Sequence, residues 1–180
     1  MAPHGTQAPS PWVQRWGRLV PAGGPVLDVA CGQGRHLRWF AQQGHPVTGI
    51  DRDADAIAAV RPLGRAVAAD IETGPWPLEG ETFAGVVVTN YLWRPLFPRI
   101  VASVAEGGAL LYETFAEGNE TVGKPSRPDF LLRHGELLAL CAGLRVVAYE
   151  NGFLDQPERF VQRIAAVRTP PGNARARYVL

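Results

Sequence analysis

One segment near the start of the chain, VLDVACGQGR at residues 26–35, constrains the possible folds more than any other. Its first residues are apolar around a single acid, Asp28, which is typical of a short buried strand, expected here over residues 26–31. Two glycines then permit a tight turn, and a helix is predicted over residues 35–43. Because the first N–H groups of a helix have no partners within it, such a corner can hold a polar ligand. The segment therefore predicts a nucleotide-type binding corner.

Apolar segments and helical segments alternate along most of the remaining chain. This alternation is the pattern of a mostly parallel sheet with helices on both faces, so we predict a doubly wound α/β fold. In such sheets ligands bind beyond the carboxyl ends of the strands, where the strand order reverses. The expected strands are residues 26–31, 47–51, 65–70, 83–89, 109–113, 144–154 and 159–167, and the expected helices open at Ser10-Pro11 and cover 35–43, 53–60, 95–105 and 134–141.

Length and composition fit one globular domain. The chain has 180 residues, of which 46% are hydrophobic and 19% charged, which suffices for a single core. We expect a flexible leader at residues 1–10, a single domain at 11–169 and a loose tail at 170–180. The connection at 114–132 contains two glycines and two prolines, and its length predicts a functional loop that moves as a lid would.

Charge, cysteine and histidine content argue against several classes of function. The formal net charge is +1, so nothing attracts the chain as a whole to nucleic acid or to a membrane. Cys31 and Cys141 are not placed to form a disulfide, and the histidines lack metal-ligand spacing. No apolar segment approaches the roughly 20 residues of a membrane span, and the N-terminus has no signal-peptide pattern. We expect a cytoplasmic protein that acts on a small molecule without a metal.

Acidic side chains stand at the ends of the second and third predicted strands. Asp51 follows Gly32 by 19 residues, a spacing at which a carboxylate can accept hydrogen bonds from both hydroxyls of a ribose. The alternative for Asp51 is a helix cap, because a helix follows it. Asp70 can accept a hydrogen bond from the exocyclic amine of an adenine, while the Ile71 N–H donates to a ring nitrogen. The alternative role of Asp70 is that of an exposed acid in a turn. Both acids fit one nucleoside.

A polar pair, Asn90-Tyr91, closes the fourth strand, next to where the reactive end of a ligand would lie. Together with the acids and the glycine turn, this pair resembles the class I S-adenosylmethionine-dependent methyltransferases. The likeness covers almost the whole chain and rests on VLDVACGQGRH, GIDRD, AADIE, FAGVVVTNYLWRPLF and EGGALLYETF. It is closest to small bacterial methyltransferases of the tellurite-resistance type, which have a similar CGxGR turn and a region like GKPSRPDFLLRHGELL.

The resemblance implies a Rossmann-like sheet of seven strands in which the last strand is antiparallel. It also implies S-adenosylmethionine as the cofactor and S-adenosylhomocysteine as the product. One departure is Ala30, where many members have glycine; we expect it to be tolerated because alanine can hold strand geometry. The oligomeric state stays open.

The cofactor has no phosphate, so its carboxylate and ammonium would face the glycine turn. The backbone of Ala30, Gly32 and Gly34 would lie close to these groups. Arg35 either adds charge beside the carboxylate or faces solvent. The full set of expected cofactor contacts is Asp28, Ala30, Cys31, Gly32, Gly34, Arg35, Asp51, Arg52, Asp70, Ile71, Asn90 and Tyr91.

The chemistry implied by the resemblance requires position more than a strong base, because the sulfonium is already activated for in-line displacement. A base is needed only when the acceptor must lose a proton. The catalytic candidates are Tyr91 and Glu113, and His36 and His134 are also considered. Aromatic faces would suit an apolar or cationic acceptor, although ordinary packing competes for Trp93. The expected acceptor contacts are Tyr91, Trp93, Arg94, Phe115, Phe130 and Arg133, the last two from the long connection.

Two other functions share the glycine turn. A nicotinamide-dependent oxidoreductase has the same turn and ribose acid, but it normally has GxGxxG, whereas position 37 here is Leu37. A non-catalytic S-adenosylmethionine-binding protein would keep Gly32, Gly34, Asp51 and Asp70 without turnover. The sequence does not name the methyl acceptor.

Overall fold

The computed structural model describes residues 8–173 and 175–180. Its helices are α1 (Pro11–Trp16), α2 (Arg35–Gln42), α3 (Ala54–Val60), α4 (Phe97–Ala102) and α5 (Glu136–Leu140). Its strands are β1 (Val26–Val29), β2 (Val47–Asp51), β3 (Arg65–Ala68), β4 (Phe83–Thr89), β5 (Val104–Phe115), β6 (Arg145–Asp155) and β7 (Glu158–Val167). Short 3₁₀ helices lie at Gly17–Leu19, Arg94–Leu96, Asn119–Thr121 and Pro128–Phe130.

The described strands form one seven-stranded sheet in the order β3-β2-β1-β4-β5-β7-β6. β1 pairs in parallel with β2 and β4, and β4 pairs in parallel with β5. β7 runs antiparallel to both of its neighbours, β5 and β6. The strand order reverses at β1, so a crevice forms beyond the carboxyl ends of β1 and β4. The predicted fold class is confirmed, including the antiparallel last strand.

Helices cover both faces of the sheet, and β4 shows how the sequence achieves this. Val87 belongs to one apolar cluster with Trp12 of α1 and Leu37 of α2. Val86 and Val88 belong to the other cluster, which contains side chains of α4 and α5. Because successive strand residues point to opposite faces, an unbroken run of valines suits a strand that is buried on both sides.

The fifth strand begins earlier than the sequence predicts. We expected a helix to residue 105, a turn at 106–108 and a strand from 109, but α4 ends at Ala102 and β5 begins at Val104. The glycines therefore lie inside the strand, where the register with β4 shifts. Gly108 permits the close approach, because a Cβ there would lie 2.9 Å from two backbone carbonyl oxygens of β4.

Both ends of the described chain contact the core. Most of the predicted leader lies outside the described residues, but Ser10 is buried and is the N-cap of α1. In the predicted tail, the Val179 carbonyl oxygen accepts a hydrogen bond of 2.7 Å from Arg18, and the Tyr178 ring lies under the guanidinium of Arg145. The division into leader, domain and tail stays a prediction. Among the helices of the described residues, none is long and apolar enough to cross a membrane.

Candidate functional site

A cavity of about 230 Å³ opens beyond the carboxyl ends of the first four strands. It brings together the acids that end β2 and follow β3 with the residues that follow β1 and β4. Many of the predicted cofactor contacts are therefore neighbours in space. The cavity is lined by Ala30, Asp51, Arg52, Ala69, Asp70, Ile71, Glu72 and Tyr91. We call it the first cavity.

Asp51 fixes the glycine turn to the end of β2. Its Oδ2 accepts a hydrogen bond of 2.8 Å from the Gly32 N–H, and its Oδ1 accepts one of 2.9 Å from the Asp53 N–H. A carboxylate oxygen accepts more than one hydrogen bond, so each oxygen retains capacity for a ligand. The helix-cap alternative is filled by Asp53, whose side chain caps α3. Asp51 is thus free to serve both the turn and the cavity that it lines.

The turn itself depends on glycine at Gly34, which is the N-cap of α2. Its φ is +77°, in the left-handed region, and a Cβ there would lie 3.0 Å from Val60. Cys31, inside the turn, is buried, and this burial raises the pKa of its thiol far above the ordinary value. A thiol in this state is not a nucleophile, so Cys31 acts through its backbone and its packing.

Ala30 and Asn90 hold the two central strand ends in an uncommon backbone conformation. Both have a φ of 55°, and they directly follow β1 and β4. The expectation that Ala30 keeps strand geometry is wrong, because β1 ends at Val29 and Ala30 turns into the left-handed region. Asparagine visits this region more readily than alanine, so the strain is greater at Ala30.

Asp70 has the turn-acid role that the sequence offered as its alternative, and it also lines the first cavity; its contact with an adenine stays a prediction. Its Oδ1 accepts hydrogen bonds from the backbone N–H groups of Glu72, at 3.0 Å, and Thr73, and its Oδ2 accepts one of 2.8 Å from the Thr73 hydroxyl. These bonds, led by that of the hydroxyl, lower the pKa of Asp70. Asp70 is therefore an exposed acid in a turn, and its ionised carboxylate also lines the first cavity.

A buried polar network lies behind the glycine turn, between α1, α2 and the sheet. Asp28 is 1% exposed, its Oδ2 has no hydrogen-bond partner, and Nδ1 of His36 lies 3.5 Å from that oxygen. Nε2 of His36 accepts a hydrogen bond of 3.1 Å from the Ser10 N–H, so its proton is assigned to Nδ1, facing Asp28. The Ser10 hydroxyl donates to Oε1 of Glu113 at 3.0 Å. Residues from three distant parts of the chain thus support the turn.

Glu113, a predicted catalytic residue, is held by positive charges. Arg163 donates to its Oε2 at 3.1 Å, and a nitrogen of Arg159 lies 3.8 Å from its Oε1. The carboxylate is buried and does not line the first cavity. Both carboxylate oxygens of Glu113 have partners within the fold, so this geometry favours a structural role for Glu113.

A second cavity, of about 270 Å³, adjoins the first and shares Glu72 and Tyr91 with it. Phe115 and Phe130, two of the predicted acceptor contacts, lie in its walls. Asn90, a predicted cofactor contact, also lies there rather than in the first cavity. The second cavity is lined by Glu72, Asn90, Tyr91, Leu92, Thr114, Phe115, Pro125 and Phe130.

The structure does not bring the other predicted acceptor residues to the second cavity. Trp93 lines a separate hollow with Trp76. Arg94 binds both carboxylate oxygens of Glu136, at 2.6 and 2.9 Å, and also donates to two backbone carbonyl oxygens of the segment before α5. Arg133 is exposed, and its backbone bonds to Glu136 and Gln162. These residues hold the framework around the acceptor side.

Tyr91 stands where the two cavities meet. Its hydroxyl is buried and lies near the Glu72 carboxylate, but no hydrogen bond of normal geometry joins the two. Burial, and then the nearby negative charge of Glu72, raise its pKa well above the ordinary value of a tyrosine. The phenol is therefore protonated near neutral pH and does not act as a base; it can donate or accept a hydrogen bond at the meeting point.

The base of the long connection is fixed, and its tip is exposed. Asn119 is 1% exposed; its side chain donates to the Pro125 carbonyl oxygen at 3.0 Å and accepts from the Phe160 N–H at 3.2 Å. Residues 120–124 and 126–130 are exposed. The lid motion of 114–132 stays a prediction.

Sequence reasoning missed five residues that line the two cavities: Ala69, Glu72, Leu92, Thr114 and Pro125. Glu72 could have been predicted from the sequence, because it lies two residues after Asp70, the acid that ends the predicted third strand. Pro125 has none, since only the folded connection brings it to the sheet. Within the described residues, no group of His, Cys, Asp and Glu side chains is arranged to hold a metal ion.

Comparison with known proteins gives this arrangement a family context. Residues 26–108 match a family model described as a methyltransferase domain. Trans-aconitate 2-methyltransferase of Sinorhizobium medicae is 27% identical over 152 residues, which cover 79% of this chain but only 56% of that protein. The chain thus spans little more than half of that relative. The match confirms the methyltransferase resemblance drawn from the sequence.

Solved structures share the fold. The crystal structure of TehB from Haemophilus influenzae aligns with a TM-score of 0.74 at 20% identity, over 93% of this chain and 64% of TehB. Coclaurine N-methyltransferase, bound to N-methylheliamine and S-adenosylhomocysteine, aligns with a TM-score of 0.61 at 17% identity, over 79% of this chain and 49% of that chain. These similarities concern the fold.

Proposed function

We propose that the chain transfers the methyl group of S-adenosylmethionine to an acceptor, because residues 26–108 match a methyltransferase domain and the fold is similar to that of TehB. The cofactor binds in the first cavity and the acceptor in the second. One observation carries the proposal: the two cavities share the walls formed by Glu72 and Tyr91. In-line displacement needs donor and acceptor on either side of the methyl group, and adjoining cavities provide this arrangement.

The residues of the first cavity fit the cofactor. Asp51 retains hydrogen-bond capacity for ribose hydroxyls, and the ionised Asp70 can accept an adenine amine. Behind the turn, Oδ2 of the buried Asp28 makes no hydrogen bond and faces Nδ1 of His36 at 3.5 Å; we propose that its charge also attracts the ammonium group of the cofactor. A buried carboxylate oxygen without a hydrogen bond is costly, and a cationic ligand offsets that cost.

The protein contributes position and electrostatics to this reaction. S-adenosylmethionine supplies an activated methyl group when it is bound. Tyr91 is protonated near neutral pH, so it orients groups at the junction rather than removing a proton. Glu113 braces the segment around Ser10 and β7. An acceptor that is already nucleophilic suits such a site best.

The nature of the acceptor belongs to the proposal. A small molecule, a cytoplasmic location and the absence of nucleic acid fit the near-neutral net charge of +1. The relatives named above act on an acid in one case and on an amine in the other, as their names state. The nicotinamide-dependent alternative finds no support in these matches.

Ligand-induced stabilisation tests the proposal. A hundredfold excess over Kd adds about 2.7 kcal/mol to the stability of the folded state, so S-adenosylhomocysteine should raise the melting midpoint by roughly 5–10 °C. Asp51→Ala should lower its affinity at least about tenfold by calorimetry. Asp51→Asn, which keeps an oxygen for the Gly32 N–H, separates ligand binding from damage to the turn.

Asp55→Ala is the matched control, because Asp55 is an exposed acid in the first turn of α3. The affinity of Asp55→Ala for S-adenosylhomocysteine should equal that of the parent protein. A midpoint shift with NAD and none with S-adenosylhomocysteine would overturn the proposal.

A further inference from the structure

The charge of the second cavity restricts the class of acceptor that can bind there. Among the described residues that line it, Glu72 alone carries a charge; the others are apolar, aromatic or neutral polar side chains. Glu72 is half-buried, and its backbone N–H donates to Asp70, which anchors the residue at the end of β3. The cavity is therefore negative and aromatic at once.

Among the described residues, no arginine forms an ion pair with Glu72. Arg94 binds Glu136 and two carbonyl oxygens, and both pairs of bonds turn its guanidinium toward α5. Arg52 lines the first cavity together with Asp51, Asp70 and Glu72. Three carboxylates against one guanidinium leave the first cavity negative as well. An anionic acceptor would meet repulsion from both sides.

Aromatic walls reinforce this preference. Tyr91, Phe115 and Phe130 line the second cavity, and the negative faces of aromatic rings attract cations. The Arg127 guanidinium already lies over the Phe130 ring, at 5.4 Å, so Tyr91 and Phe115 are the rings that can face a cationic acceptor. The unpartnered Tyr91 hydroxyl adds a neutral group that can accept an N–H donor at the meeting point of the two cavities. An amine supplies both features, because it has N–H donors and carries positive charge in its protonated form.

From this arrangement we infer that the acceptor is a primary or secondary amine with an apolar or aromatic skeleton, held by Glu72 and Tyr91 for N-methylation. The inference rests on the proposed function and specifies its substrate class. The amine binds with an N–H directed to Glu72 or to the Tyr91 oxygen, and its skeleton packs on Phe115 and Phe130.

The reaction is balanced without a further reagent. The amine attacks in its unprotonated form, and its lone pair forms the new N–C bond. The S–C bond breaks, and its electron pair returns to sulfur, which becomes a neutral thioether. The product is an N-methylammonium ion, which releases its extra proton to solvent. Glu72 stabilises the positive charge that develops on nitrogen, and no strong base is required.

Binding of a matched pair of probes tests the inference. Phenethylamine and 3-phenylpropanoate share a phenyl ring on a short chain but carry opposite charges near neutral pH. With the protein saturated by S-adenosylhomocysteine, calorimetry should show the amine bound at least about tenfold more tightly than the acid. With S-adenosylmethionine instead, mass spectrometry should detect N-methylphenethylamine and no methyl ester.

Glu72→Gln separates charge from shape. It should weaken amine binding about tenfold and reduce the preference over the acid, with both probes measured at saturating S-adenosylhomocysteine because Glu72 also lines the first cavity. Glu106→Gln is the control, because Glu106 is exposed at the amino end of β5, remote from both cavities. Glu106→Gln should leave the affinities for phenethylamine, 3-phenylpropanoate and S-adenosylhomocysteine unchanged.

The outcomes separate this inference from the proposed function. Equal affinities for the two probes, tighter binding of the acid, or an unchanged preference in Glu72→Gln would overturn the amine assignment while cofactor binding stands. Absence of any midpoint shift with S-adenosylhomocysteine would overturn the proposed function itself, and with it the assignment.

Discussion

The two cavities of the site are held together in different ways. Around the first, most hydrogen bonds of the two acids come from nearby backbone: Asp51 accepts from Asp53, and Asp70 accepts from Glu72 and Thr73. The longer link, from the Gly32 N–H to Asp51, spans 19 residues. Around the second, the supporting bonds cross the fold. Arg94 and Glu136, for example, are 42 residues apart in sequence.

This difference separates what a short sequence segment can encode from what only the folded chain provides. The first cavity needs a strand end, a glycine turn and two acids, each recognisable in a few residues. The second needs β4, β5 and the connection at 114–132 to meet. A fold that keeps the first cavity constant can therefore change its acceptor by altering the second.

The largest expected effect comes from Arg94→Met, which should unfold the acceptor side preferentially. The variant keeps the aliphatic stem but removes the bonds to Glu136 and to two carbonyl oxygens. Loss of these partly buried bonds should lower the free energy of unfolding by about 2 kcal/mol in chemical denaturation. The affinity for S-adenosylhomocysteine should change less than about twofold, because the first cavity has its own local bonds.

Arg99→Met is the control for Arg94→Met, since Arg99 forms an exposed pair with Glu79. Exposed pairs contribute little, so its effect should stay below about 0.5 kcal/mol. Acid dependence gives a second check. Arg94, first through its hydrogen bond, lowers the pKa of Glu136 below the usual 4.5. This contribution is present above that value and is lost as pH falls through the lowered pKa, so the parent and the variant should converge in acid.

The sequence predicted the fold and the first cavity better than the second. Asp51, Asp70 and Tyr91 are placed where strand ends were expected, because alternating apolar segments determine the strands and the strands determine the crevice. Trp93 and Arg94 follow the end of β4, as Tyr91 does, yet both turn away from the second cavity. Side-chain direction after a strand depends on tertiary partners such as Glu136, and no local pattern reveals them.

Tyr91→Phe should have a smaller effect on stability, and of the opposite sign. The buried hydroxyl has no partner, so its removal should raise the free energy of unfolding by about 0.5–1 kcal/mol. Methyl transfer to phenethylamine should nevertheless slow, because the junction loses its hydrogen-bonding group. Destabilisation of Tyr91→Phe in chemical denaturation would mean that the hydroxyl has a partner in the folded protein.

The pH profile completes the test of Tyr91. Because burial and Glu72 raise the pKa of this phenol, its ionisation should not appear in the transfer rate between neutral pH and about 10, the ordinary tyrosine value. Initial rates in the parent and in Tyr91→Phe should therefore have the same shape over this range. A step present only in the parent would indicate an ionising Tyr91.

The smallest expected effect compares the two strained residues, one beside each cavity. Ala30 and Asn90 share a φ of 55°, but the left-handed region costs alanine roughly 1 kcal/mol more than it costs glycine, and asparagine less. Glycine also raises the entropy of the unfolded chain, which offsets part of the gain. Ala30→Gly should therefore raise the free energy of unfolding by about 0.5 kcal/mol, while Asn90→Gly should change it by about zero or lower it slightly. Equal changes in denaturation midpoint for both variants would show that the surrounding fold, rather than the residue type, determines the strain at these strand ends.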